Sequence, residues 1–577
     1  MSTTVIKNAA WVIAWDAALD HHTYRREVDL AFSEDRIVHL GRDFAGSADR
    51  VIDGSARLVL PGLIDIHSHP EHEPLYRGIR EEHGLPSMHM TGLYERSQAL
   101  SATDDAARAA SAEFAYCELL LCGVTSLVDI SPPWAGWVEL FAKSGLRGFL
   151  APGYASARWY LKDDHELHYA WDEARGRAGF AAALELIDTA LAHPCGRLSG
   201  IVSPMQIDTC TEGLLRDSRA AARDRGLPFT LHVAQSVSEV REMIRRHGQT
   251  PVQWAQGIGL LGPGTILGHA LFLDHHSWIR GWTRSDLAIL GDSGTAVAHC
   301  PTPFARYGQV MENFGDYLRA GVTMGLGTDC SPHNLVEEMR KAAVLARVAA
   351  RDITTVTTAD LFHVATVGGA RALLRDDLGR LAAGNKADIV MVDLDCPQMQ
   401  PARDPLRSFV YHAADRAVRE VFVDGRQVVA DGKVLTLDQA AAGGRLRAAQ
   451  QRMEAPPAAT TAAAAPPRSR RSACRRRSDA GLVAPAELAV VPGDPPGRDD
   501  FQHHPLWRAA RCAGRAWLAA VLGHPGENLS DRLGALEKLA VPAHHDALQL
   551  GVGAAGLDHQ RDLRIAPDVQ HLLRLAV

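Results

Sequence analysis

Between residues 61 and 375, short apolar runs alternate with longer segments of helical spacing, and this alternation restricts the fold more than any other feature. The runs include Gly123–Asp129, Phe229–Val233, Thr265–His269, Thr295–His299 and Val322–Asp329. Segments such as Thr103–Cys122 and Thr211–Arg225 lie between them with helical periodicity. Repeated β–α units imply a parallel α/β fold, and so many in series suit a closed (β/α)8 barrel of the TIM type.

The flanks read differently. Residues 1–60 alternate apolar and polar positions in short runs such as Val28–Phe32 and Arg36–Leu40. Residues 376–440 return to short strands at Ala387–Asp393, Val418–Gly425 and Gln427–Ala430, with Asp424-Gly425 as a hairpin signal. The simplest account joins both flanks into one small β-sandwich domain beside the barrel. Residues 454–577 form an extra C-terminal tail. It opens on the Ala/Pro stretch Ala455–Pro467 and the basic run Arg468–Arg477, a linker-like, low-complexity composition. A solvated appendage is preferred for it over a nucleic-acid-binding tail, and a stretch of altered reading frame fused to a complete enzyme is a third reading.

Length and charge set outer bounds. The 577 residues exceed one average domain and accommodate a large barrel plus a second unit. A formal net charge of -7 gives no reason to expect nucleic-acid or membrane partners. No apolar run reaches the length that spans a bilayer. The start Met1–Lys7 lacks a signal-peptide pattern, and the nine cysteines show no C-x-x-C spacing. A cytoplasmic protein with free thiols is expected.

The sharpest local feature is Pro61-Gly-Leu-Ile-Asp-Ile-His67-Ser-His69, an apolar strand ending in two histidines one residue apart. Side chains at i and i+2 of a strand share a face, so both imidazoles can point into a barrel mouth and hold one metal. Further strand ends supply His232, His269 and Asp329. In a (β/α)8 barrel the C-terminal strand ends meet at the active face. Three imidazoles and a carboxylate suit Zn2+, or Fe2+ as the alternative, with a position left open for water.

The order His-x-His, His, His, Asp resembles the amidohydrolase superfamily. Residues 1 to about 440 resemble its chlorohydrolase and deaminase branch, which includes triazine hydrolases, guanine deaminase and adenosylhomocysteine-type deaminases. Supporting segments are Leu75–Gly78, Glu118–Thr125, His299-Cys-Pro301, Gly327–Asp329 and Gly379–Ile389. The resemblance implies attack by metal-activated water on an electrophilic carbon. His67, His69, His232 and Asp329 match the family's metal ligands, and His269 and Asp329 match the groups that orient and deprotonate the water. Two-metal relatives bridge their ions with a carboxylated lysine on a middle strand. Here no lysine occurs between Lys162 and Lys341, so one divalent metal is expected. Homo-oligomers are common in the family, and a homo-oligomer is expected by that analogy alone.

Departures from the pattern bear on the substrate. Aromatic deaminases of the branch carry x-Ala-Glu after the strand-five histidine, whereas this chain has His232-Val-Ala-Gln235. An amide exchanges no protons near neutral pH, although it donates and accepts hydrogen bonds. Gln235, His299 and His333 are therefore candidate substrate-binding groups. His269, His299 and His333 are candidates for the missing proton transfer, against the plainer reading of His299 and His333 as packed side chains. Ser203-Pro-Met-Gln206 replaces the Ala-Pro-His pattern of nucleoside-type deaminases, so a common nucleoside is not the expected substrate. Trp134, Trp137 and Trp159 read as buried packing. The leading expectation is removal of an amino or halide group from a small nitrogen heterocycle. Hydrolysis of an amide, urea or carbamate C–N bond is the alternative, and a metal-binding barrel without turnover is a third.

Overall fold

The structure, a computed structural model, describes residues 2–454 apart from 79–102, 162–166, 313 and 331. The expected tail from 455 to 577 lies outside the described residues. Strands β1 (Leu63–Ser68), β2 (Val124–Ser131), β3 (Arg147–Tyr154) and β4 (Leu198–Gly200) pair in parallel, as do β5 (Phe229–Val233), β6 (Thr265–His269), β7 (Ala296–His299) and β8 (Thr323–Leu326). Isolated parallel bridges link the two sets: Val202 with Phe229, Gln206 with His232, and Ser68 with Asp329. Their interior faces are apolar. Ile64, Ile66, Val128, Ile130, Phe149, Ala151, Ile266, Ala296 and Ala298 share one buried cluster. Alternate residues such as Leu63, Leu127, Leu150, Leu267 and Val297 join a second cluster with the helices, as period-two side-chain alternation requires.

Helices α1 (Asp105–Leu121) and α2 (Glu212–Asp224) fall within the two segments of helical spacing, and α3 (Val237–His247) follows β5. Asp104, Thr211 and Ser236 cap their N-termini, each accepting from a backbone N–H of the first turn. Such a cap is worth about 1 kcal/mol.

Both flanks contribute to a single sheet. Strand Arg57–Pro61 runs antiparallel to Ile389–Asp393, with Leu60 opposite Val390. The seven-stranded sheet continues through Val418–Val423 and Arg426–Ala430 on one side and Trp11–Asp16 on the other. Asp424 and Gly425 form the expected hairpin turn, both with positive φ (53° and 72°), and Val423 pairs with Arg426. A four-stranded sheet made only of N-terminal residues shares a buried cluster with it, including Ile6, Leu30, Val59, Ile389 and Phe422. The buried Arg147 at the start of β3 donates to Asp388 (3.0 and 3.1 Å) and Asp424 (2.6 Å), tying the strand to this sheet. Paired and hydrogen-bonded in this way, its charge is retained in the interior.

One element has no counterpart in the sequence reading. Helix α4 (Gln439–Glu454) packs Leu446, Ala449 and Met453 on Leu75 and Ala107, and Gln450 Nε2 donates to the carbonyls of Leu75 and Arg77 (2.8 Å each). Its Ala- and Gly-rich sequence carries little apolar periodicity, and packing rather than propensity fixes it. A chain ending at residue 454 is expected to keep the full-length unfolding temperature. One ending at residue 438 loses the burial of Leu446 and Met453, roughly 3–6 kcal/mol, and thermal unfolding of the two chains checks this.

Candidate metal centre

The C-terminal ends of β1, β5, β6 and β8 converge. Ligand atoms of His67, His69 and His232 lie within 4.8 Å of one another, as do those of His67, His269 and Asp329. His69 Nδ1 donates to the Ile130 carbonyl (2.8 Å) and His232 Nδ1 to that of Met205 (2.5 Å). Each ring then turns an unprotonated Nε2 inward, and the two Nε2 atoms are 3.3 Å apart. With the ring protons so placed, the two facing nitrogens suit a cation between them. Tetrahedral ligands roughly 2.0–2.1 Å from Zn2+ stand about 3.3–3.4 Å apart. Both ring nitrogens of His67 are buried without a hydrogen-bond partner. Asp329 Oδ1 is 3.5 Å from His69 Nε2 and 3.9 Å from His67 Nε2, and Oδ2 is 3.8 Å from His269 Nε2. Burial and neighbouring imidazoles pull His67 and His269 well below the usual histidine range, and burial chiefly takes His232 down to about 3. Neutral imidazoles beside a carboxylate are the donor set a divalent metal needs, and the residues present fit one.

Supporting structure fixes these groups. Buried Asp65 accepts from the backbone N–H groups of His67 (3.1 Å) and Thr328 (3.2 Å) and from the Thr328 hydroxyl (2.6 Å), joining β1 to the turn that carries Asp329. Ala234, Ala270 and Asp329 adopt left-handed φ of 52°, 46° and 53° just after or at the converging strand ends. Such conformations are costly for residues with a Cβ and cluster at functional sites. Gly268 leaves room for the His67 ring, since a Cβ there would stand 2.5 Å from it.

The other expected residues fall as follows. Gln235 is buried beside His232 and accepts from Gln206 Nε2 (3.4 Å). His299 is buried, with its ring 4.9 Å from Phe314, and burial lowers it to about 3. His333 is fully buried, with Nδ1 3.8 Å from Glu118, which pairs with Arg77. Trp134 and Trp137 pack in the core, and Trp137 donates to Asp129 (3.0 Å). Trp159 is tied down rather than free, donating to Asp208 (3.0 Å).

Two groups escaped the sequence reading. His72 lies between Glu71 (2.6 Å) and Glu73 (2.8 Å), its ring 5.6 Å from that of His69. Those carboxylates overcome burial and hold His72 well above the usual range. Glu71 continues through Ser131 to Asp129 and Tyr116. The run Glu71-His-Glu73 two residues beyond His69 was the available signal. The second is Glu239 on α3. Its Oε1 accepts from Ala234 N (2.6 Å), and its Oε2 accepts from Gln235 N (2.9 Å) and Gln206 Nε2 (3.4 Å). Burial pushes Asp208 up, and burial with the Asp208 charge pushes Glu239 up. Main-chain N–H groups address both Glu239 oxygens, whereas Asp208 Oδ1 is buried without a partner. The spacing Ser236-x-x-Glu239, a capping-box pattern, signals Glu239.

The family model of the amidohydrolase family matches residues 58–428. A 5-methylthioadenosine/S-adenosylhomocysteine deaminase of Natronomonas pharaonis is 30% identical over 427 residues, covering 73% of this chain and 92% of the relative. A 5'-deoxyadenosine deaminase of Methanothermobacter thermautotrophicus is 28% identical over 437 residues, 75% and 96% of the two chains. Among solved structures, the triazine hydrolase from Arthobacter aurescens superposes with a TM-score of 0.68 at 23% identity, covering 78% of this chain and all of the other. An adenosine deaminase from Xanthomonas campestris with bound zinc gives 0.66 at 23%, covering 78% and 98%. This chain belongs to the amidohydrolase family, and it is a hydrolase of the class acting on non-peptide C–N bonds.

The geometry makes Gly268 a sensitive position. Gly268→Ala is expected to fold, with near-normal far-UV circular dichroism, but to bind metal roughly 10–100-fold more weakly because the His67 ring is displaced. Elemental analysis of the purified variant after dialysis against a weak chelator reads this out.

Proposed function

We propose that this protein removes an amino or halide group from a small nitrogen heterocycle, using one divalent metal, Zn2+ in preference to Fe2+, held by His67, His69, His232 and Asp329. The observation that carries the reading is the facing pair of unprotonated Nε2 atoms on His69 and His232 with a carboxylate 3.5 Å from one of them. Held by these residues, a metal would supply a nucleophile at neutral pH by lowering the pKa of a water. Asp329 takes up the proton released in the attack, and His269, 3.8 Å from Asp329 Oδ2, orients the water. Gln235 holds a substrate group by hydrogen bonding, and His299 borders the same end of the strands. Deaminases among the relatives support a nitrogen leaving group. The two parallel sheets and their bridging residues support reading the strands as one closed (β/α)8 barrel with the shared β domain beside it, a sandwich.

Gln235 supports a second reading, hydrolysis of an amide, urea or carbamate C–N bond, in which the leaving amine rather than a ring nitrogen takes the proton. Metal-loaded protein assayed for ammonia, chloride and released amine over a panel of amino- and chloro-azines and amides separates the readings. Ammonia or chloride from an azine supports the first. Turnover of amides alone replaces it with the second.

Two outcomes test the roles. Metal content is expected near one equivalent per chain and falls sharply in His67→Ala. His269→Ala is expected to keep most of the metal while losing about 10²–10⁴-fold in turnover. Two equivalents per chain, or metal loss in His269→Ala equal to that in His67→Ala, would overturn the assignment.

A further inference from the structure

Resting on the heterocycle reading above, we propose that Glu239 sets the polarity of a two-amide recognition edge, in which Gln206 offers a carbonyl acceptor and Gln235 an amide donor to a substrate bearing adjacent donor and acceptor atoms. Gln206 Nε2 points at two acceptors, Glu239 Oε2 and Gln235 Oε1, each at 3.4 Å. Reversing the Gln206 amide would set its oxygen against the Glu239 carboxylate. Both Glu239 oxygens are already placed as acceptors of main-chain N–H groups, so the orientation with NH2 inward is selected. Gln235 must then turn its oxygen toward Gln206, which leaves its NH2 on the other side. Among the described residues, Gln206 Oε1 and Gln235 Nε2 have no protein partner, and neither is fully enclosed.

Position makes this pair a recognition surface. Gln206 is bridged in parallel to the candidate ligand His232, and Gln235 follows that ligand by three residues. Glu239 is fully buried and its carboxyl accepts two main-chain N–H groups, so its place does not depend on a substrate. A lactam (N–H beside C=O) or an aminoazine (NH2 beside a ring nitrogen) offers one donor and one acceptor to such a pair. An alkoxy- or chloro-azine without an amino group offers acceptors alone and would leave the Gln206 carbonyl unpaired, which is costly in a buried site. Glu239 acts through the two amides and is a positioning residue.

The test uses full-length, metal-loaded protein and two unreactive probes, 2-pyridone and 2-methoxypyridine, with dissociation constants from ligand-observed NMR. Wild type is expected to prefer 2-pyridone by roughly tenfold, about one hydrogen bond's worth. Glu239→Gln, which frees the Gln206 amide to turn, and Gln206→Ala, which removes the acceptor, are each expected to reduce that preference to within about twofold with metal content unchanged. In turnover, Gln206→Ala is expected to raise KM for an aminoazine more than it lowers kcat. Equal binding of the probes by wild type, or an undiminished preference in either folded variant, overturns the proposal. If Glu239→Gln does not fold, Gln206→Ala decides alone. Binding requires no turnover, so a silent activity panel with an intact probe preference counts against the reaction and not against the edge.

Discussion

Two imidazole nitrogens 3.3 Å apart, each with its ring proton committed to a main-chain carbonyl, repel one another unless a cation lies between them. Much of the structure maintains that unfavourable pair. The carbonyls of Ile130 and Met205 sit at neighbouring strand ends and fix the tautomers. Burial strips water from the rings of His67 and His232 and disfavours their protonated forms. The Asp65–Thr328 link brings the carboxylate of Asp329 to the same place. Strand pairing, main-chain acceptors and the buried Asp65 carboxyl together hold these side chains on one face.

Beyond the metal, the end of β5 divides its work between neighbours. His232 lies in the histidine cluster, while the side chain of Gln235 accepts from Gln206. Glu239, one helical turn further on, orders the second through Gln206 and the main chain. The carboxyl in the first turn of α3 thus ties down the main chain of Ala234 and Gln235 and accepts from the Gln206 amide.

Strand ends carrying ligands were legible because each combined an apolar run with a residue whose chemistry has few structural uses. Phe229–Val233 and Thr265–His269 are strands with those bounds. The hairpin at Asp424-Gly425 was legible because only positive-φ residues make that turn. Helix α4 was not, because its buried stripe of Ala442, Leu446, Ala449 and Met453 is half alanine in an alanine-rich sequence, and its contacts lie on Leu75 and Ala107, hundreds of positions earlier. The Glu71–His72–Glu73 clamp was missed for a different reason. Charged residues after a strand read as a solvated loop until the structure shows them buried. The hydrogen bonds of Gln206 were likewise invisible, since they depend on which strands lie side by side and not on spacing along the chain.

Strand Arg57–Pro61 passes through Gly62 directly into β1, and Gly62 is held by the carbonyl of Asp388 and packed so closely on Thr125 that no side chain fits. The first pair of histidines therefore hangs from a strand whose antiparallel partner, Ile389–Asp393, is synthesised only after β8 is complete. During synthesis the emerging chain exposes His67 and His69 long before the segment that anchors them exists. The seat for the metal is completed late, by a long-range pairing of the kind that slows folding, and loading with the ion becomes a property of the finished chain rather than of a nascent fragment.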